Sequence, residues 1–457
     1  MVQTHRMSFV STLEDRNGSG LKDGYMQNFY VDKPGGREVQ AVKRAGLKVY
    51  DLIAQHTGVG RGIFQMNRPS AGGTFLSVVG NKLYINGNEA KTLTTSTGRC
   101  YFSSNNNGTI IGLMDGAKLY KITESNTVTE VTLPFTPVVG LTYLDGYFLT
   151  SDSNDVYSSD LENIDSWNAL SFVTPNQYPG KIMGLRRHSN YVAVFKANSL
   201  EFLYDAAISA PASAFAPVPN VVHHIGCFSG NSIALFEDIG IYVTTDNTGE
   251  PSIMMLQGVN VEKISTASVE RTLKDHIIYD CHAVIFRESG HIFYSLRCNG
   301  FSLVFDLTTK LWDKWTTVYD SGMAAFGGHY SAGEGVVYLQ DSTTGIVYKF
   351  DKYYYKDSTN VIQCQVITDL FDGGNNKYKF LRYLDIIADK TTTNLQLSFT
   401  DNDYNTYSSS YTCPLQYGRV TINRLGQFRR RAFKVVHTDD TPLRLEAMEM
   451  VLDLGSS

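Results

Sequence analysis

Two short motifs carry residue types that bind metal ions. His223 and His224 are adjacent, but neighbours on a strand point to opposite faces, so the two imidazoles cannot chelate one ion there. Residues 401–405, DNDYN, begin like a calcium-binding loop. That loop type needs glycine at its sixth position and glutamate at its twelfth, where this chain has Thr406 and Thr412. We therefore predict no metal site and no cofactor.

A third motif is the carboxylate-rich stretch DSNDVYSSDLENID, residues 152–165. Glycosidases use a pair of carboxylates, so this stretch raises the question of sugar hydrolysis. Asp and Asn also dominate tight turns, because their side chains hydrogen-bond the nearby backbone, and we favour that interpretation. The chain has no G-x-S-x-G, H-E-x-x-H or glycine-rich phosphate loop. We predict that it is not an enzyme.

The conspicuous basic run is RLGQFRRRAFKVV, residues 424–436. On a strand, Arg429 and Arg431 project from one face and Arg430 from the other. One interpretation is a rim strand whose charges lie in water. The other is a subunit contact in which arginine forks bind carboxylates of a neighbouring copy.

The charge of the whole chain is nearly balanced, with 40 basic and 45 acidic residues and a net charge of −5. A protein that grips nucleic acid needs a concentrated basic surface, so a groove-reading DNA binder is not expected. The amino terminus lacks the basic-then-apolar order of a signal peptide, which predicts maturation in a cytoplasm. Residues 206–236 carry no charge, but their prolines make a poor membrane span. We predict an apolar loop there and no membrane anchor.

Six cysteines are scattered along the chain without C-x-x-C spacing. This distribution indicates neither a zinc site nor a small disulfide framework, so we predict reduced, buried thiols. They are Cys100, Cys227, Cys281, Cys298, Cys364 and Cys413.

The elements that would position these residues are predicted to be strands. The composition includes 28 Tyr, 24 Phe and 39 Gly with few long helical runs, which favours an all-β fold. Residues 290–315 predict an antiparallel hairpin that turns at Asn299 and Gly300. In its second strand Phe301, Leu303 and Phe305 share one face, and we expect that face alone to be buried.

The same kind of unit recurs along the chain, with an apolar pair that ends in an aromatic residue. The copies centre on Tyr84, Tyr120, Tyr157, Tyr204, Tyr242, Phe305 and Tyr348. Periods of roughly 40 to 50 residues with about four short strands each are typical of β-propeller blades. We predict six or seven blades. The longest interval contains residues 261–275, where apolar spacing predicts one short inserted helix that Ser265 caps.

Longer alternating strands follow residue 352 and predict a β-sandwich-like domain. We therefore divide the chain into three parts. They are an amino-terminal arm with the first strand at residues 1–50, a β-propeller at 51–351 and the sandwich-like domain at 352–457.

With this pattern in view, the chain resembles the tail-hub proteins of short-tailed bacteriophages, also called packaged-DNA stabilisation or head-completion proteins. The resemblance covers nearly the whole chain and rests on phrases in a fixed order. They include MQNFYVDKPGG and KRAGLKVY, YPGKIMGLRRHSNYVAVFKANSLEFLYD, HHIGCFSGNSIALFEDIGIYVTTD, VEKISTASVERTL, RLGQFRRRAF and LRLEAMEMVLDLG. Ala45 departs from the family, in which proline often precedes Gly-Leu.

The resemblance implies a structural protein of the virion tail that is assembled in the host cytoplasm. It implies a ring, usually a homo-hexamer, below the portal and its adaptor ring. The ring closes the DNA exit channel, retains packaged DNA, conducts it during ejection, and carries spikes, fibres or a needle. Double-stranded DNA would pass through the lumen without sequence-specific binding. A passage for moving DNA should be neutral or acidic, and the net charge of −5 agrees with that.

The resemblance also selects residues for subunit or partner contacts. Asn28, Phe29 and Tyr30 match the family's amino-terminal phrase, and Pro34 follows where the family often has proline. Glu201 matches an acid after an inner strand, and Arg424, Gly426 and Arg429 match the carboxy-terminal phrase. The predicted contact residues are Asn28, Phe29, Tyr30, Arg424, Arg429, Arg430 and Arg431. The uncharged segment 206–236 is a further candidate for contact with a neighbouring subunit.

Two alternatives stay open. A glycan-binding or glycan-degrading propeller on a viral tail would use the many Tyr and Trp residues to stack on sugars, and a concave pocket with two carboxylates would distinguish it. A cellular kelch-like adaptor is the other alternative, and the carboxy-terminal domain has no place in it.

Overall fold

The computed structural model describes residues 2–11, 24–33, 38–246, 248–275, 281–298, 301–316, 329–333 and 335–455. Within these ranges nearly all regular structure is β-strand, with one α-helix and the short 3₁₀ turns Gly230–Ser232 and Leu415–Tyr417. The predicted all-β class is confirmed. The turn predicted at residues 299–300 and the proline at 34 lie outside the described residues.

Seven antiparallel units of four strands, here called blades 1 to 7, follow one another along the chain. Blade 1 contains Gly60–Arg68, Gly72–Val79, Lys82–Ile85 and Asn88–Thr92; blade 2 contains Tyr101–Ser104, Ile110–Met114, Leu119–Thr123 and Val128–Val131; blade 3 contains Val139–Leu144, Tyr147–Ser151, Val156–Asp160 and Asn163–Val173; blade 4 contains Ile182–His188, Tyr191–Lys196, Leu200–Asp205 and Phe215–His223. Blade 5 contains Ala234–Phe236, Ile239–Thr245, Pro251–Gln257 and Asn260–Lys263; blade 6 contains His282–Glu288, His291–Cys298, Phe301–Asp306 and Leu311–Lys314; blade 7 contains His329–Gly333, Val336–Gln340, Val347–Asp351 and Gly46–Val49.

The blades form a closed ring, because each pair of neighbours shares a buried apolar cluster. Leu113 of blade 2 packs with Leu83 of blade 1, and clusters of the same kind join every later pair up to blades 6 and 7. Ile63 of blade 1 packs with Tyr338 of blade 7, which completes the circle. The prediction of a β-propeller with six or seven blades is confirmed, and the described residues form seven four-stranded blades.

Both faces of a blade are buried, which corrects the expectation of one buried face in the hairpin of blade 6. Leu303 packs toward blade 5, while Val304 on the opposite face packs toward blade 7. Every residue of Phe301–Asp306 is buried, because a blade inside a ring has a neighbour on each side.

The ring is closed by a strand from the amino-terminal part of the chain. Gly46–Val49 pairs antiparallel with Val347–Asp351 and so supplies the fourth strand of blade 7. Leu47 lies in this strand with no exposed surface and packs in the cluster between blades 6 and 7. The first and last strands of the propeller in sequence are therefore hydrogen-bonded to each other.

The predicted helix is present as Ala267–Lys274, between blades 5 and 6. Val269 and Leu273 are buried in the cluster that these blades share. The predicted cap was one residue early, because the Thr266 side chain accepts the hydrogen bond from the Val269 amide. The Ser265 hydroxyl donates instead to Glu270.

A second unit consists of two sheets that enclose one core. One sheet contains Val2–Ser8, Phe29–Asp32, Gln40–Lys43, Lys379–Ala388, Arg419–Asn423, Gln427–Phe428 and Arg444–Leu454. The other contains Tyr25–Gln27, Cys364–Ile367, Asn394–Thr400, Tyr411–Pro414 and Ala432–His437. Lys356–Asp357 and Asn360–Val361 extend blade 7 beyond its fourth strand.

Residues 1–50, predicted as an amino-terminal arm with the first strand, contribute strands to three sheets. Strands from this part of the chain belong to both sheets of the second unit and to blade 7. Their residues alternate in polarity, and Val31 and Ala41 fill the common core with residues near the carboxy terminus. Pairing between strands that are this far apart in the chain cannot be predicted from the residues near either strand.

The uncharged segment 206–236 was predicted to be one long loop, and this prediction is wrong. Its middle is the outermost strand of blade 4, Phe215–His223, and its end is Ala234–Phe236 of blade 5. Phe215 and Ile233 are buried between blades, so the apolar character is mostly internal. Ile208, which is 45% exposed, lies in the connection that remains at the surface.

The prediction of reduced thiols is wrong for one cysteine pair. Cys281 and Cys298 form a disulfide across the first two strands of blade 6, next to the paired residues His282 and Arg297. They are 17 residues apart in sequence, but the antiparallel register places them opposite each other with a Cα separation of 4.2 Å. The other four cysteines are buried and free.

Leu47 provides a test of the ring closure. We expect Leu47→Ala to lower the free energy of unfolding by about 2–5 kcal/mol, because it leaves a cavity in the core between two blades. Leu52→Ala is the matched control, since Leu52 is 78% exposed, and its effect should stay within about 0.5 kcal/mol. Denaturant unfolding followed by tryptophan fluorescence measures both, and equal effects would contradict the assigned closure.

Candidate functional site

The histidine pair does not form a metal site. The Nε2 atom of His223 lies 2.7 Å from the Val259 carbonyl oxygen, and the exposed His224 ring packs edge-on against Tyr178. Across the described ranges, no group of three or more His, Cys, Asp or Glu side chains could hold a metal ion.

The calcium-like motif and the basic run, which the sequence presents as separate features, bind each other. Arg431 donates from Nε and Nη2 to the two carboxylate oxygens of Asp401, both at 2.7 Å, and from Nη1 to the Leu425 carbonyl. Its guanidinium lies 3.8 Å from the Phe399 ring centre and is almost fully buried. The Arg431 side chain is therefore enclosed in an internal ion pair, and its role as a subunit or partner contact stays a prediction. Arg430 forms an exposed ion pair with Asp403 at 2.7 Å.

The carboxylates of residues 152–165 also have structural partners. Asp152 accepts hydrogen bonds from the backbone amides of Asn154 and Asp155 in a tight turn. Glu162 accepts from the Tyr143 hydroxyl at 2.7 Å, and Asp165 pairs with Lys121. Five cavities in the described part of the chain are each lined by at most one carboxylate, so none of them has the pair that glycoside hydrolysis needs.

Asn28 lies where the propeller meets the second unit. Its backbone has a φ of +61°, a conformation that asparagine tolerates better than most residues. Its side-chain amide donates to the carbonyls of Thr316, at 3.0 Å, and Gln363, at 2.7 Å. Its side-chain oxygen accepts from Arg44 Nε and from the Thr316 amide. One buried side chain therefore joins the end of blade 6 to the residue that precedes the strand Cys364–Ile367.

Arg44 continues this junction. Its Nη1 and Nη2 donate to the two carboxylate oxygens of Asp357 at 2.9 and 2.5 Å, and the two side chains are 0% and 3% exposed. The guanidinium also lies over the Trp315 ring, and the Trp315 indole N–H donates to the Phe29 carbonyl. A buried ion pair needs such complete hydrogen bonding to offset the cost of its desolvation. We call Asn28, Arg44, Trp315 and Asp357 the junction cluster.

This geometry changes the interpretation of the amino-terminal contact residues. Asn28 and Phe29 are 0% and 1% exposed, so their side chains contact other residues of the same chain, and their role as subunit or partner contacts stays a prediction. Tyr30 is half-buried beside His291 and Phe293 of blade 6, and burial raises its pKa to about 12. The phrase NFY holds the chain's own two units together.

Arg424 and Arg429 are exposed, and their role as contacts stays a prediction. The Arg429 guanidinium lies 4.6 Å from the centre of the Tyr378 ring. Tyr378 and Phe380 are 38% and 46% exposed in the same region. Exposed aromatic residues beside arginine are the composition that protein interfaces favour.

Glu201 is internal to the ring. It forms a buried ion pair with Lys196 at 3.0 Å and accepts hydrogen bonds from the amides of Gln177 and Tyr178. Lys196 also donates to the Pro175 carbonyl. The pair fastens the connection between blades 3 and 4, which gives a physical reason for an acid at position 201.

Comparison with models of known protein families shows which family the chain belongs to. The family described as "Bacteriophage P22 Gp10, beta-propeller" matches residues 30–353. The chain belongs to this family. It is a phage structural β-propeller protein, and the matched range ends where blade 7 ends.

Other comparisons add little. No curated protein matches the chain. A chain of the S. cerevisiae complex "dbp5 l327v bound to nup159, gle1 h337r, ip6 and adp" is 10% identical over 71% of this chain and 99% of its own, with a TM-score of 0.40. BamB from Moraxella catarrhalis is 10% identical over 68% and 97%, with a TM-score of 0.36. The Pan2 WD40 domain of Neurospora crassa is 8% identical over 76% and 95%, with a TM-score of 0.37. At these scores none carries an argument.

Among the described residues, no helix is both long enough and apolar enough to cross a membrane.

His437 is a buried titratable group near the junction cluster. Its Nε2 atom lies 2.8 Å from the Thr393 hydroxyl, and its side chain is 1% exposed. Burial, with a smaller contribution from the Lys43 charge, lowers the pKa of His437 to about 4. The unfolded chain takes up this proton near pH 6.5, whereas the folded chain does so only near pH 4. Acid therefore favours unfolding between those values.

The junction cluster predicts a large effect of Asp357→Asn. The substitution leaves the Arg44 charge buried without its carboxylate, which should cost about 3–5 kcal/mol of unfolding free energy. Glu89→Gln is the control, because the Lys82–Glu89 pair lies in solvent and should contribute little to stability. Calorimetric unfolding of both variants measures the difference, and a loss for Asp357→Asn no larger than that of the control would refute the assigned role.

His437 predicts a specific pH dependence. Between pH 6.5 and about 4 the His437 term should remove about 3 kcal/mol of stability as the pH falls. His437→Gln should lose this term, so its stability should fall less steeply over the same range. His224→Gln, at an exposed histidine, should keep the wild-type slope. Urea unfolding at pH 7 and pH 4.5 gives both slopes, and an unchanged slope in His437→Gln would remove the assignment.

Proposed function

We propose that this protein is the tail hub of a short-tailed bacteriophage. In this proposal six copies form a ring below the portal and its adaptor ring in the virion tail, after synthesis in the host cytoplasm. The observation that carries it is the family match over residues 30–353, which contains all seven blades and their closing strand. The ring closes the exit channel, retains packaged DNA and conducts it during ejection.

The rigidity of the fold supports a mechanical role. Every blade is packed on two neighbours, and the ring is closed by hydrogen bonds between its first and last strands. The junction cluster ties the second unit to blades 6 and 7 through buried groups. A propeller of this kind presents loops on two faces of a stiff disc, which suits attachment to an adaptor on one side and to spikes, fibres or a needle on the other.

The net charge of the chain supports a channel that lets DNA pass and not a surface that binds DNA tightly. Binding many phosphates releases counterions and gives tight, salt-dependent affinity, which would resist ejection. With a net charge of −5 the chain has no excess of basic residues for such a grip. Double-stranded DNA would pass through the assembled lumen without sequence-specific contacts.

The proposed contact surface is the exposed region around Arg424, Arg429, Tyr378 and Phe380. Arginine and aromatic side chains there can form ion pairs and stacking contacts with a neighbouring subunit. The exposed connection that contains Ile208 is a second candidate contact. The mechanism needs no catalytic residue, so the proposed role is structural and not enzymatic.

Electron microscopy and native mass measurement of the purified full chain, alone and with the adaptor ring, test the proposal. We expect a sixfold annulus that binds the adaptor. Arg429→Glu should weaken ring formation by about tenfold or more, since it replaces an attractive charge at the contact with a repulsive one. Arg287→Glu makes the same charge change at an exposed site in blade 6 and should leave the ring intact. A chain that stays monomeric and ignores the adaptor would contradict the tail-hub role.

A further inference from the structure

A cavity of about 310 Å³ lies on the axis of the propeller. Its wall is built from residues at the start of first strands, near the end of the second strand of blade 6, and in nearby turns of blades across the ring. They are Val59, Gly60, Gly98, Arg99, Asn231, His282, Arg297, Ser342 and Thr343. Residues from blades 1, 5, 6 and 7 can share one wall only at the centre of the ring, so the cavity is axial.

The cavity carries positive charge that the described part of the chain does not neutralise. Arg99 and Arg297 line it, and no carboxylate of the described residues does. Arg99 also lines a smaller adjoining cavity together with Arg186, again without a carboxylate. The guanidinium carbons of Arg99 and Arg186 lie 5.9 and 4.8 Å from the centre of the same Tyr101 ring. Two like charges therefore share one aromatic ring beside the axis.

Both arginines of the axial cavity have a buried nitrogen that has no hydrogen-bond partner among the described residues. These atoms are Nη1 of Arg99 and Nε of Arg297. Burying a charged donor without a partner is costly, so each such group needs an explanation. Burial and the Arg186 charge lower the pKa of Arg99 to about 10, which leaves it positive at neutral pH.

A neighbouring arginine shows what a purely structural guanidinium looks like in this ring. Arg61 is fully buried and donates to the carbonyls of Gly98, Gly80, Thr95 and Asp115 and to the Thr95 hydroxyl. Every arm of its guanidinium is therefore bound between blades 1 and 2. Two carboxylates in neighbouring turns, Asp115 and Asp341, accept hydrogen bonds from backbone amides of their own turns. Arg99 differs from Arg61 in that its Nη1 atom has no hydrogen-bond partner among the described residues.

We propose that the axial cavity binds a phosphate-type oxyanion, either free phosphate or a phosphomonoester, between Arg99 and Arg297. A tetrahedral dianion can accept charge-assisted hydrogen bonds from two guanidinium groups on opposite walls. One water occupies about 30 Å³ of liquid, so the cavity has room for the five heavy atoms of phosphate and several waters. Ser342, Thr343 and Asn231 supply further polar groups on the wall. The inference is independent of the tail-hub proposal.

Such an anion would link the inner ends of blades that do not touch each other. Ligand binding to the folded state alone raises the unfolding temperature in proportion to the logarithm of ligand concentration. Phosphate should therefore stabilise the full-length protein more than chloride does at the same ionic strength.

The test compares thermal unfolding and calorimetric titration of the full chain with sodium phosphate, at ionic strength held constant with sodium chloride. We expect the wild type to bind phosphate with a stoichiometry of one and to unfold at a higher temperature as phosphate rises. Arg99→Gln and Arg297→Gln should each weaken binding by about tenfold or more, because each removes a charge-assisted contact. Arg187→Gln, at an exposed arginine of blade 4, is the matched control and should bind like the wild type.

Unfolding in chloride alone distinguishes the proposed anion site from a purely structural role for Arg99. In chloride alone, Arg99→Gln should unfold at the same temperature as the wild type or higher, since it removes a positive charge whose buried Nη1 atom has no partner among the described residues. A structural arginine such as Arg61 should instead lower the unfolding temperature when replaced by Gln. Destabilisation of Arg99→Gln in chloride, with an unchanged response to phosphate, would overturn the proposal.

A second titration, with deoxyadenosine monophosphate in place of inorganic phosphate, distinguishes the two sources of the phosphate group. If deoxyadenosine monophosphate binds more tightly than inorganic phosphate, the ligand is a phosphomonoester. If inorganic phosphate binds more tightly, the ligand is the free anion. Either order supports the oxyanion site if the Arg99→Gln variant loses it. Absence of any phosphate effect beyond that of chloride in the wild type would refute the site.

Discussion

A sheet with two apolar faces has to be covered on both sides, and this constraint organises the whole molecule. Each blade has aliphatic and aromatic side chains on both faces, so no blade can face water. A linear stack would leave two terminal faces exposed, whereas a closed ring leaves none. The closing strand Gly46–Val49 is the device that meets this requirement, because it completes the blade that covers the first one.

The second constraint is that the two units share buried polar groups and not only an apolar surface. At the junction cluster Asn28 uses both donors and both lone-pair directions of its side-chain amide, and Arg44 is bonded bidentately to Asp357. A fully satisfied polar network of this kind fixes one relative placement, because any shift would leave a buried charge unpaired. The family phrase NFY therefore reflects the internal architecture of a subunit.

The sequence was informative wherever the relevant pattern is local. Alternation and the recurring aromatic residues predicted strands, the blade period and the helix at Ala267–Lys274. It was uninformative where the partner is distant. Nothing near Asn28 points to Thr316 or Gln363, and nothing near Arg431 points to Asp401. The Cys281–Cys298 pair followed from strand register, which the hairpin pattern contained but the cysteine spacing alone did not. The exposure of Arg424 and Arg429 was predictable, because charged side chains ordinarily lie at the protein surface.

The origin of the closing strand has a consequence for biosynthesis. Gly46–Val49 leaves the ribosome early, but its partner Val347–Asp351 follows about 300 residues later. At about 5 to 20 residues per second, translation needs roughly 15 to 60 seconds to supply that partner. During this interval the nascent chain holds an unpaired strand edge next to a series of blades with an uncovered face. Nascent chains on crowded polysomes are therefore exposed to intermolecular strand exchange until the last blade emerges.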